Sequence, residues 1–480
     1  MRKSFFALIL GFTLSGGALA QQPPTKSSFK DDPEVAATIA LIETRLEADR
    51  LAKKIPGMSA AVVYDQEVVW AKGFGYADVE KKVSATPQTI YRIASITKVF
   101  TATALMQLRD AGKVGLDDPL TKYIPSFRLA SRFADSPPIT LLQLATHASG
   151  FPREAPLDYW LTLKFPPVET MIEAVSTKGE RAFPPYVESK YSNVGFAILG
   201  YALSQAAGQP YFSYVKQNIL DPLGMQQTGF TLTPSMTAQM ATGYFAAKDG
   251  KPPEPAYQPD YGGYGPASSL YTSVEDIAKF MSLQFRDGPA GGSQILRGST
   301  LREMHTAHWV APDWNSGWGI GFAMSRIGNH TSVGHGGGIQ GFRTHIEMIP
   351  ALKVGVAVFT NTNASPEVFT REMLQLLIPV IERAEARARP VPPPAPASWQ
   401  QYVGVYVNPF GKARIRVHNN QLQLLSDDEA DGGPVALTPV AEHKFRMQGG
   451  FSSGELLVFE VDAKGKVFRM WVGQFPMERE

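Results

Sequence analysis

The strongest pattern in the chain lies in its first quarter: Tyr91-Arg92-Ile93-Ala94-Ser95-Ile96-Thr97-Lys98. Apolar residues follow at three- and four-residue spacing and predict an α-helix over residues 95–111. Ser95 and Lys98 are three apart and would share one face of that helix. A serine hydroxyl is a poor nucleophile without a base, and a lysine whose pKa is lowered by burial can act as that base. A serine at a helix start is more often a cap, so this pair alone is a weak signal.

A second element, Tyr191-Ser192-Asn193, stands directly before an apolar run that predicts a helix over residues 194–207. Tyr191 and Asn193 can point the same way from an extended turn. A nearby ammonium group favours the ionised phenol, which makes Tyr191 a candidate proton acceptor, while Asn193 can hold a substrate amide or orient Lys98. The alternative is a tyrosine packed on the core and an asparagine that caps the helix.

The third element is a glycine-rich segment over residues 333–341, with five glycines in the eight positions from Gly334 to Gly341. Glycines let a substrate backbone approach closely, and His335 can donate a hydrogen bond to a substrate or to Tyr191. A phosphate-binding loop would end in a lysine followed by serine or threonine, and neither is present. A plain glycine-rich hairpin is the alternative.

The composition excludes several classes of protein. The 480 residues are 44% hydrophobic and 19% charged, which is typical of a globular protein rather than a disordered chain. The chain has 46 basic and 44 acidic residues and no basic run, so nucleic acid is not expected as a partner. The absence of cysteine excludes disulfides, thiolate metal sites and a cysteine nucleophile.

Both ends of the chain differ from its middle. Residues 1–20 carry two basic residues, a short apolar stretch and Ala18-Leu19-Ala20, which predict a signal peptide cleaved before Gln21 and a periplasmic or secreted protein. The stretch is short for a membrane span, and no other span is expected after cleavage. Residues 389–397 are proline-rich and predict a stiff linker, beyond which alternating residues predict a small all-β domain over 398–480.

The central block, residues 33–388, mixes strand and helix patterns. Strand-like runs over 58–70 and 345–360 lie near its two ends, with helical periodicity between them. A further helix is predicted over 366–388, and Pro379 is expected to kink or interrupt it. This order predicts an α+β fold in which the terminal strands pair in one antiparallel sheet.

The three elements, in this order, resemble the motifs of the serine β-lactamase and penicillin-binding-protein superfamily: Ser-x-x-Lys, Tyr-x-Asn, and Lys-Thr-Gly or His-x-Gly. The chain is most similar to the class C-like branch, which includes family VIII esterases, D-aminopeptidases and D-alanyl-D-alanine carboxypeptidases. The resemblance covers about residues 33–388. Its secondary landmarks are Pro56-Gly57, residues 116–119, residues 142–150 and residues 270–276. The C-terminal segment is similar to the small lipocalin-like β-barrel modules appended in this superfamily.

The resemblance implies a β-lactamase-like α+β fold, with an antiparallel sheet flanked by helices, a mostly helical second lobe and the site between them. The motif match assigns seven residues to this site: Ser95, Lys98, Tyr191, Asn193, His335, Gly337 and Gly338. Ser95 would attack a carbonyl and form an acyl-enzyme, while Lys98 and Tyr191 would move the protons and Tyr191 would help to activate the hydrolytic water. Backbone donors of Ser95 and Gly338 would form the oxyanion hole. No metal or cofactor is implied, and which of Lys98 and Tyr191 is the base stays open.

One position departs from the family pattern. The third motif begins with His335 where typical β-lactamases carry lysine, so the permanent cation that would bind a substrate carboxylate is expected to be missing. We therefore predict a secreted serine hydrolase that acts on an ester or amide, either a small molecule or a peptide. The alternatives are a D-stereospecific peptidase of the cell wall and a non-catalytic penicillin-binding-like receptor. The oligomeric state stays open.

Two further patterns are interpreted as structural. Residues 450–454 match the Gly-x-Ser-x-Gly elbow of α/β-hydrolases, but the strand-like run after them predicts a hairpin turn instead. His305 and His308, close to Glu303, are a conceivable metal pair. Two histidines on a partly exposed helix are the favoured interpretation, because no further ligand is evident.

An aromatic group completes the set of candidates. Trp309, Trp314 and Trp318, with residues 261–264 upstream, belong either to the core or to the rim of an apolar substrate pocket. We slightly favour the pocket.

Overall fold

The computed structural model describes residues 29–245, 253–288, 292–388, 393–426, 433–450 and 452–480. The chain divides into two units, the first ending at Ala384 and the second running from Glu385 to Glu480. The expected signal peptide and part of the expected linker lie outside the described residues.

Twelve α-helices occur in the described residues, in chain order α1 Pro33–Ala52, α2 Thr97–Asp110, α3 Leu141–Ala145, α4 Tyr159–Thr162, α5 Val168–Lys178, α6 Asn193–Ala207, α7 Tyr211–Val215, α8 Pro234–Ala238, α9 Gly265–Ser268, α10 Val274–Leu283, α11 Gly298–Met304 and α12 Glu367–Ala388. Short 3-10 turns cover Phe29–Asp31, Ala94–Ile96, Leu120–Lys122, Gly262–Tyr264, Pro350–Leu352 and Ala397–Tyr402, and a π-helical turn covers Lys216–Leu220. None of the helices described here combines the length and the apolar character that a membrane crossing requires.

The strands of the first unit are β1 Gly57–Tyr64, β2 Glu67–Asp78, β3 Val83–Ser84, β4 Tyr91–Arg92, β5 Tyr271–Thr272, β6 Trp309–Val310, β7 Ser316–Trp318, β8 Ala323–Ile327, β9 His330–Ile339, β10 Phe342–Ile349 and β11 Val354–Thr360. The strands of the second unit are β12 Gly404–Asn408, β13 Gly411–His418, β14 Gln421–Ser426, β15 Val435–Ala441, β16 Lys444–Gln448, β17 Leu456–Val461, β18 Val467–Val472 and β19 Phe475–Arg479.

The first unit is organised around an antiparallel sheet whose strand order, over the described residues, is β3-β2-β1-β11-β10-β9-β8-β7-β6. β1 lies beside β11, with Met58 opposite Thr360, so the predicted pairing of strands from the two ends of the block is confirmed. Both strands are buried along almost their whole length. Their small and β-branched residues can be covered on both faces, one by α1 and α12 and the other by α2 and α10.

Helix α2 is the central helix of the mostly helical lobe. Eleven of its residues are buried, and it packs against α6 and α9 within the core that also covers one face of the sheet. The helix begins at Thr97 rather than at residue 95, because a 3-10 turn over Ala94–Ile96 precedes it. The start of α2 therefore lies where the lobe meets β9 and β10. The predicted fold, an antiparallel sheet flanked by helices with a helical lobe, is confirmed.

Helix α12 runs from Glu367 to Ala388 without a break, so the expected interruption at Pro379 does not occur. Proline removes the N–H partner of the Gln375 carbonyl, and Gln375 is exposed, so water can take that hydrogen bond. The opposite face of the helix, which includes Leu374 and Leu377, is buried against the sheet. This packing stabilises the helix through the proline.

The second unit is a closed barrel of β12 to β19, and β19 returns to pair with β12, with Tyr406 opposite Arg479. Alternate side chains fill its interior, as eight strands allow. The predicted small all-β domain is therefore confirmed. Residues 452–454 form a turn that leads into β17 and not into a helix, as the hairpin interpretation of residues 450–454 requires.

Candidate active site

Ser95 lies in a tight turn immediately before α2, with its side chain at the edge of an open cavity. The preceding residue, Ala94, is buried in a left-handed conformation with φ of 47°, which L-residues with a Cβ rarely adopt. Ile93 holds this turn on both sides, because its N–H donates to Leu270 at 3.0 Å and its carbonyl accepts from Thr344 Oγ1 at 3.1 Å. No local sequence signal indicated this strained residue beside the serine.

The amine of Lys98 contacts three oxygen atoms. Its Nζ lies 3.1 Å from Ser95 Oγ, 2.8 Å from Asn193 Oδ1 and 2.9 Å from the carbonyl oxygen of Ala267. The side chain is 0% exposed, and burial holds the pKa of Lys98 well below its usual value. An amide oxygen and a carbonyl oxygen can only accept, so a neutral Lys98 must direct both N–H groups at them. Its lone pair then faces the Ser95 hydroxyl.

The side chain of Asn193 does not cap α6. Ser192 is the N-cap, since its hydroxyl accepts from the N–H of Gly195 at 2.8 Å. The interpretation of Asn193 as a cap is therefore wrong, and the alternative that it orients Lys98 agrees with the geometry. Its Nδ2 donates to Glu154 Oε1 at 2.7 Å, and Glu154 lies in a loop that no sequence motif singled out.

Tyr191 is packed so that its phenol stays neutral. Burial raises the pKa of Tyr191, and hydrogen bonding with Ser95 and the charge of Arg153 only partly oppose that effect. The Nζ atom of Lys98 lies 4.9 Å from the centre of the Tyr191 ring, over its face. This environment favours a protonated hydroxyl over the tyrosinate that the sequence left as one alternative.

Burial also determines the charge state of His335. Desolvation and the nearby charge of Lys98 lower the pKa of His335 to about 3, so the ring is neutral at neutral pH. Its Nδ1 lies 2.6 Å from the Gly336 carbonyl and must carry the proton, because a carbonyl can only accept. Nε2 is buried and has no hydrogen-bond partner in the described part of the chain. It therefore presents a lone pair, which accepts a hydrogen bond, where a donor was expected.

His147 and Trp318 complete the aromatic wall behind Tyr191. The rings of His147 and Tyr191 lie 4.3 Å apart, and Trp318 meets the His147 ring edge-on at 4.6 Å. His147 Nδ1 accepts from the backbone N–H of Ser192 at 3.2 Å, which anchors the turn that carries Tyr191. The landmark segment 142–150 contains His147, but its spacing to the other motifs did not assign it to the site.

These groups surround a cavity of about 480 Å³ in the first unit. The lining includes Ser95, Tyr191, Trp318, His335, Gly336, Gly337, Gly338, Thr344, Glu367, Arg153 and Arg343. The position of His335 holds no permanent cation, as expected. The guanidinium groups of Arg153 and Arg343, which come from other loops and strands, nevertheless line the cavity. The cavity lining therefore includes cations, although none stands at the third motif.

The third motif forms an open strand edge beside Ser95. β8 pairs with β9 only from His330 to Gly334, while β10 pairs with β9 as far as Ile339. No described strand pairs with the outer edge of residues 335–339, of which residues 335–338 border the cavity. Such an edge can pair with an extended substrate backbone.

The conceivable metal pair is not assembled. Glu303 forms a bidentate ion pair with Arg109 at 3.1 and 2.8 Å, and His305 Nε2 bonds to Gln284 Oε1 at 3.2 Å. Within the residues that the structure describes, no group of three or more histidines and acidic residues is placed to hold a metal ion.

Of the three tryptophans that were predicted to border a substrate pocket, only one lines the cavity. Trp318 lines the cavity, Trp309 lies opposite Trp318 on the neighbouring strand, and Trp314 is 78% exposed. In residues 261–264, Tyr264 is buried and its hydroxyl donates to Glu154. The aromatic residues therefore do not form one apolar rim.

Comparison with known proteins identifies a family and several relatives of this chain. The model of the Beta-lactamase family matches residues 40–378. Beta-lactamase-like protein 2 of Dictyostelium discoideum is 32% identical over 372 residues, which cover 73% of this chain and 66%, slightly under two thirds, of that protein. Putative beta-lactamase-like 1 of Homo sapiens is 27% identical over 417 residues, covering 82% and 81% of the two chains.

Solved structures of two other proteins also resemble this chain. An octameric penicillin-binding protein homologue from Pyrococcus abyssi superposes with a TM-score of 0.63 at 27% identity, over 92% of this chain and 99% of that one. A beta-lactamase/D-alanine carboxypeptidase from Pseudomonas syringae superposes with a TM-score of 0.60 at 16% identity, covering 71% and 99% of the two chains, and shares the fold.

Proposed function

Because the chain belongs to the beta-lactamase family, we propose that it is a serine hydrolase that forms an acyl-enzyme on Ser95 with an ester or amide substrate. The observation that carries this proposal is the set of contacts around Lys98. Two oxygen atoms that can only accept hydrogen bonds hold its N–H groups. Its nitrogen lone pair therefore faces Ser95 Oγ, which lies 3.1 Å from Nζ. A buried amine of lowered pKa in that position is a general base for the serine.

Acylation then follows from the positions of the groups. Ser95 Oγ attacks the carbonyl carbon as its proton passes to Lys98, and the carbonyl oxygen becomes an oxyanion. The backbone N–H groups of Ser95 and Gly338 are the proposed donors to that oxyanion. The neutral hydroxyl of Tyr191 protonates the leaving group and is reprotonated from Lys98. Water then attacks the acyl carbonyl carbon, and its proton passes through the Tyr191 hydroxyl to Lys98. Ser95 Oγ leaves with a proton from Lys98, which releases the acid and restores the enzyme.

The test is intact-protein mass spectrometry of the purified protein after mixing with a penicillin and, separately, with p-nitrophenyl butyrate. We expect a mass gain that maps to Ser95 and that decays during a chase, because the base that serves acylation also serves hydrolysis. Ser95→Ala should show no adduct with either reagent. A fully active Ser95→Ala protein would refute the proposal, and an adduct that never decays would favour a non-catalytic penicillin-binding-like receptor.

A D-stereospecific peptidase is the second candidate function. It is favoured by the open strand edge of residues 335–339, which can pair with a peptide backbone, and by Arg343 beside it. Nitroanilides of D- and L-amino acids separate the candidates. A peptidase is expected to release nitroaniline from the D-isomers at least about tenfold faster, a difference of roughly 1.4 kcal/mol in transition-state binding. Turnover of neither isomer would reject it.

We also propose that the protein acts in the periplasm or outside the cell. The support is the leader-like pattern of residues 1–20, whose basic start, apolar stretch and small-residue cleavage site are typical of secretory signals.

A further inference from the structure

A carboxylate lies directly behind Asn193, on a loop that none of the three motifs includes. Glu154 Oε1 accepts from Asn193 Nδ2 at 2.7 Å, and Arg153 Nε lies 3.4 Å from the same oxygen. Oε2 accepts from the hydroxyl of Tyr264 at 2.5 Å. The Glu154 side chain is 23% exposed, so solvent reaches only a minor part of it. Both of its oxygens are therefore committed to protein donors.

The orientation of the Asn193 amide depends on this carboxylate. An ionised carboxylate can only accept, so the NH2 group of Asn193 must face Glu154 and its Oδ1 must face Lys98. In the reversed orientation the NH2 group would donate to the lone pair of neutral Lys98. That lone pair is the one that must take the proton of Ser95.

We propose that Glu154 is a positioning residue for acylation, which holds the amide of Asn193 in the one orientation that leaves the lone pair of Lys98 facing Ser95. The inference rests on the proposed function, and it adds a residue outside the motifs to the machinery. Glu154 touches neither Ser95 nor Lys98 directly, and it acts through Asn193.

The carboxylate is itself held in place by buried tyrosines. Burial and the charge of Glu154 raise the pKa of Tyr264, so its hydroxyl stays protonated and donates to Glu154. The hydroxyl of Tyr159 lies 2.5 Å from that of Tyr264, and both rings are buried. Because the Tyr264 proton goes to Glu154, Tyr159 must donate in turn to Tyr264. The whole series of hydrogen bonds therefore ends on the Glu154 carboxylate.

Glu154 also affects the charge state of the base. Burial lowers the pKa of Lys98, the charge of Glu154 opposes that shift, and the charge of Arg153 reinforces it. The other titratable groups that face Lys98 are Tyr191, His147 and His335. Tyr191 has a raised pKa and the two histidines have lowered ones, so all three are neutral near pH 7. Glu154 and Arg153 are thus the charged neighbours that set the protonation of the amine.

The decisive variant is Glu154→Gln, in which an amide oxygen still accepts from Asn193 but the charge is gone. Acylation requires neutral Lys98, so its rate rises with pH through the Lys98 pKa. Without the nearby negative charge that pKa falls further. The acidic limb of the acylation profile should then move to lower pH, by about one pH unit for a charge this close. The readout is the acylation rate with p-nitrophenyl butyrate from pH 4 to 9.

Two further variants separate positioning from folding. Glu154→Ala removes the acceptor, and the acylation rate on the pH plateau should fall by more than about tenfold with KM little changed, because the effect lies in the base and not in substrate binding. Glu169→Gln makes the same chemical change on the exposed face of α5 and should leave the profile in place. Thermal unfolding of each variant shows whether it is folded.

A Glu154→Gln profile that coincides with that of the wild type, together with wild-type acylation by Glu154→Ala, would overturn this inference and leave the proposed function intact. If Glu154→Ala does not fold, Glu154→Leu, which also removes the acceptor but keeps more of the side-chain volume, takes its place in the same comparison, and wild-type acylation by that variant overturns the inference. A wild-type protein that takes up no acyl group would instead overturn the proposed function, and this inference with it.

Discussion

Replacing Lys98 by arginine or by methionine is expected to slow the acylation of Ser95 by roughly three orders of magnitude, the size typical of losing a general base. Arginine keeps a positive charge at the site but cannot give up its proton at any working pH. Methionine keeps the length of the side chain and removes the amine. If the role of Lys98 is to accept the serine proton through its lone pair, both variants fail equally.

The measurement is the rate of ester acylation by stopped-flow, with thermal unfolding as the check on folding. In the methionine variant, Asn193 Oδ1 and the carbonyl of Ala267 each lose a buried donor, at a cost of about 1–3 kcal/mol each. Removal of an amine that is 0% exposed offsets part of that cost. An arginine variant that retained a tenth or more of the wild-type rate would show that Lys98 acts by its charge and not as the base.

Gly337→Ala is expected to lower activity by about a hundredfold and to destabilise the first unit by about 1–3 kcal/mol. A Cβ at this position would lie 2.0 Å from the carbonyl oxygen of Ile93 and 2.3 Å from Thr344 Oγ1. Ile93 precedes the turn that carries Ser95, so relief of the clash must move the strand edge away from the serine. A displacement of about 1 Å between reacting groups is enough for a loss of this size.

Gly336→Ala is the matched control, one residue earlier on the same strand. The two nearest neighbours of its Cβ would be side chains, Glu367 Oε1 at 3.2 Å and His345 Cδ2 at 3.4 Å, and the nearest backbone atom, Thr344 O, would lie at an ordinary contact distance of 3.9 Å. Glu367 Oε1 is the flexible end of its side chain. We expect this variant to lose less than about tenfold in activity. Equal activity of the two alanine variants would contradict the close packing of β9 against the Ser95 turn. Steady-state ester hydrolysis and thermal unfolding of both proteins give the answer.

Several features of the fold were accessible from local patterns. The apolar period after Ser95 predicted α2, and the i, i+3 spacing predicted that Ser95 and Lys98 meet, because a helix brings residues three apart onto one face. The alternation beyond residue 398 predicted the β domain. Of the kink or interruption expected at Pro379, the interruption does not occur, since the burial of Leu374 and Leu377 outweighs the lost hydrogen bond.

The charge states of the site were not accessible in this way. The sequence suggested a tyrosinate at Tyr191 and a hydrogen-bond donor at His335, and burial favours a neutral phenol and a ring nitrogen that accepts. A pKa depends on the solvent and charges within a few ångströms of the group, and most of those neighbours are distant in sequence. For the same reason the sequence did not assign Arg343 to the cavity. Its strand, β10, lies beside the cavity because it pairs with β9 in the sheet, and no local motif indicates that pairing.

The sequence by itself determined the order of the three motifs, the family they belong to and the helix that follows Ser95 and carries Lys98, because these depend on residue type and short-range spacing. Only the tertiary structure placed the buried amine of Lys98 between Ser95, Asn193 and the Ala267 carbonyl. It brought Glu154 behind Asn193 and His147 behind Tyr191 from loops that carry no periodic pattern. The direction of a hydrogen bond and the exclusion of water from a side chain depend on the groups packed around that side chain. Those groups come together only when the chain has folded.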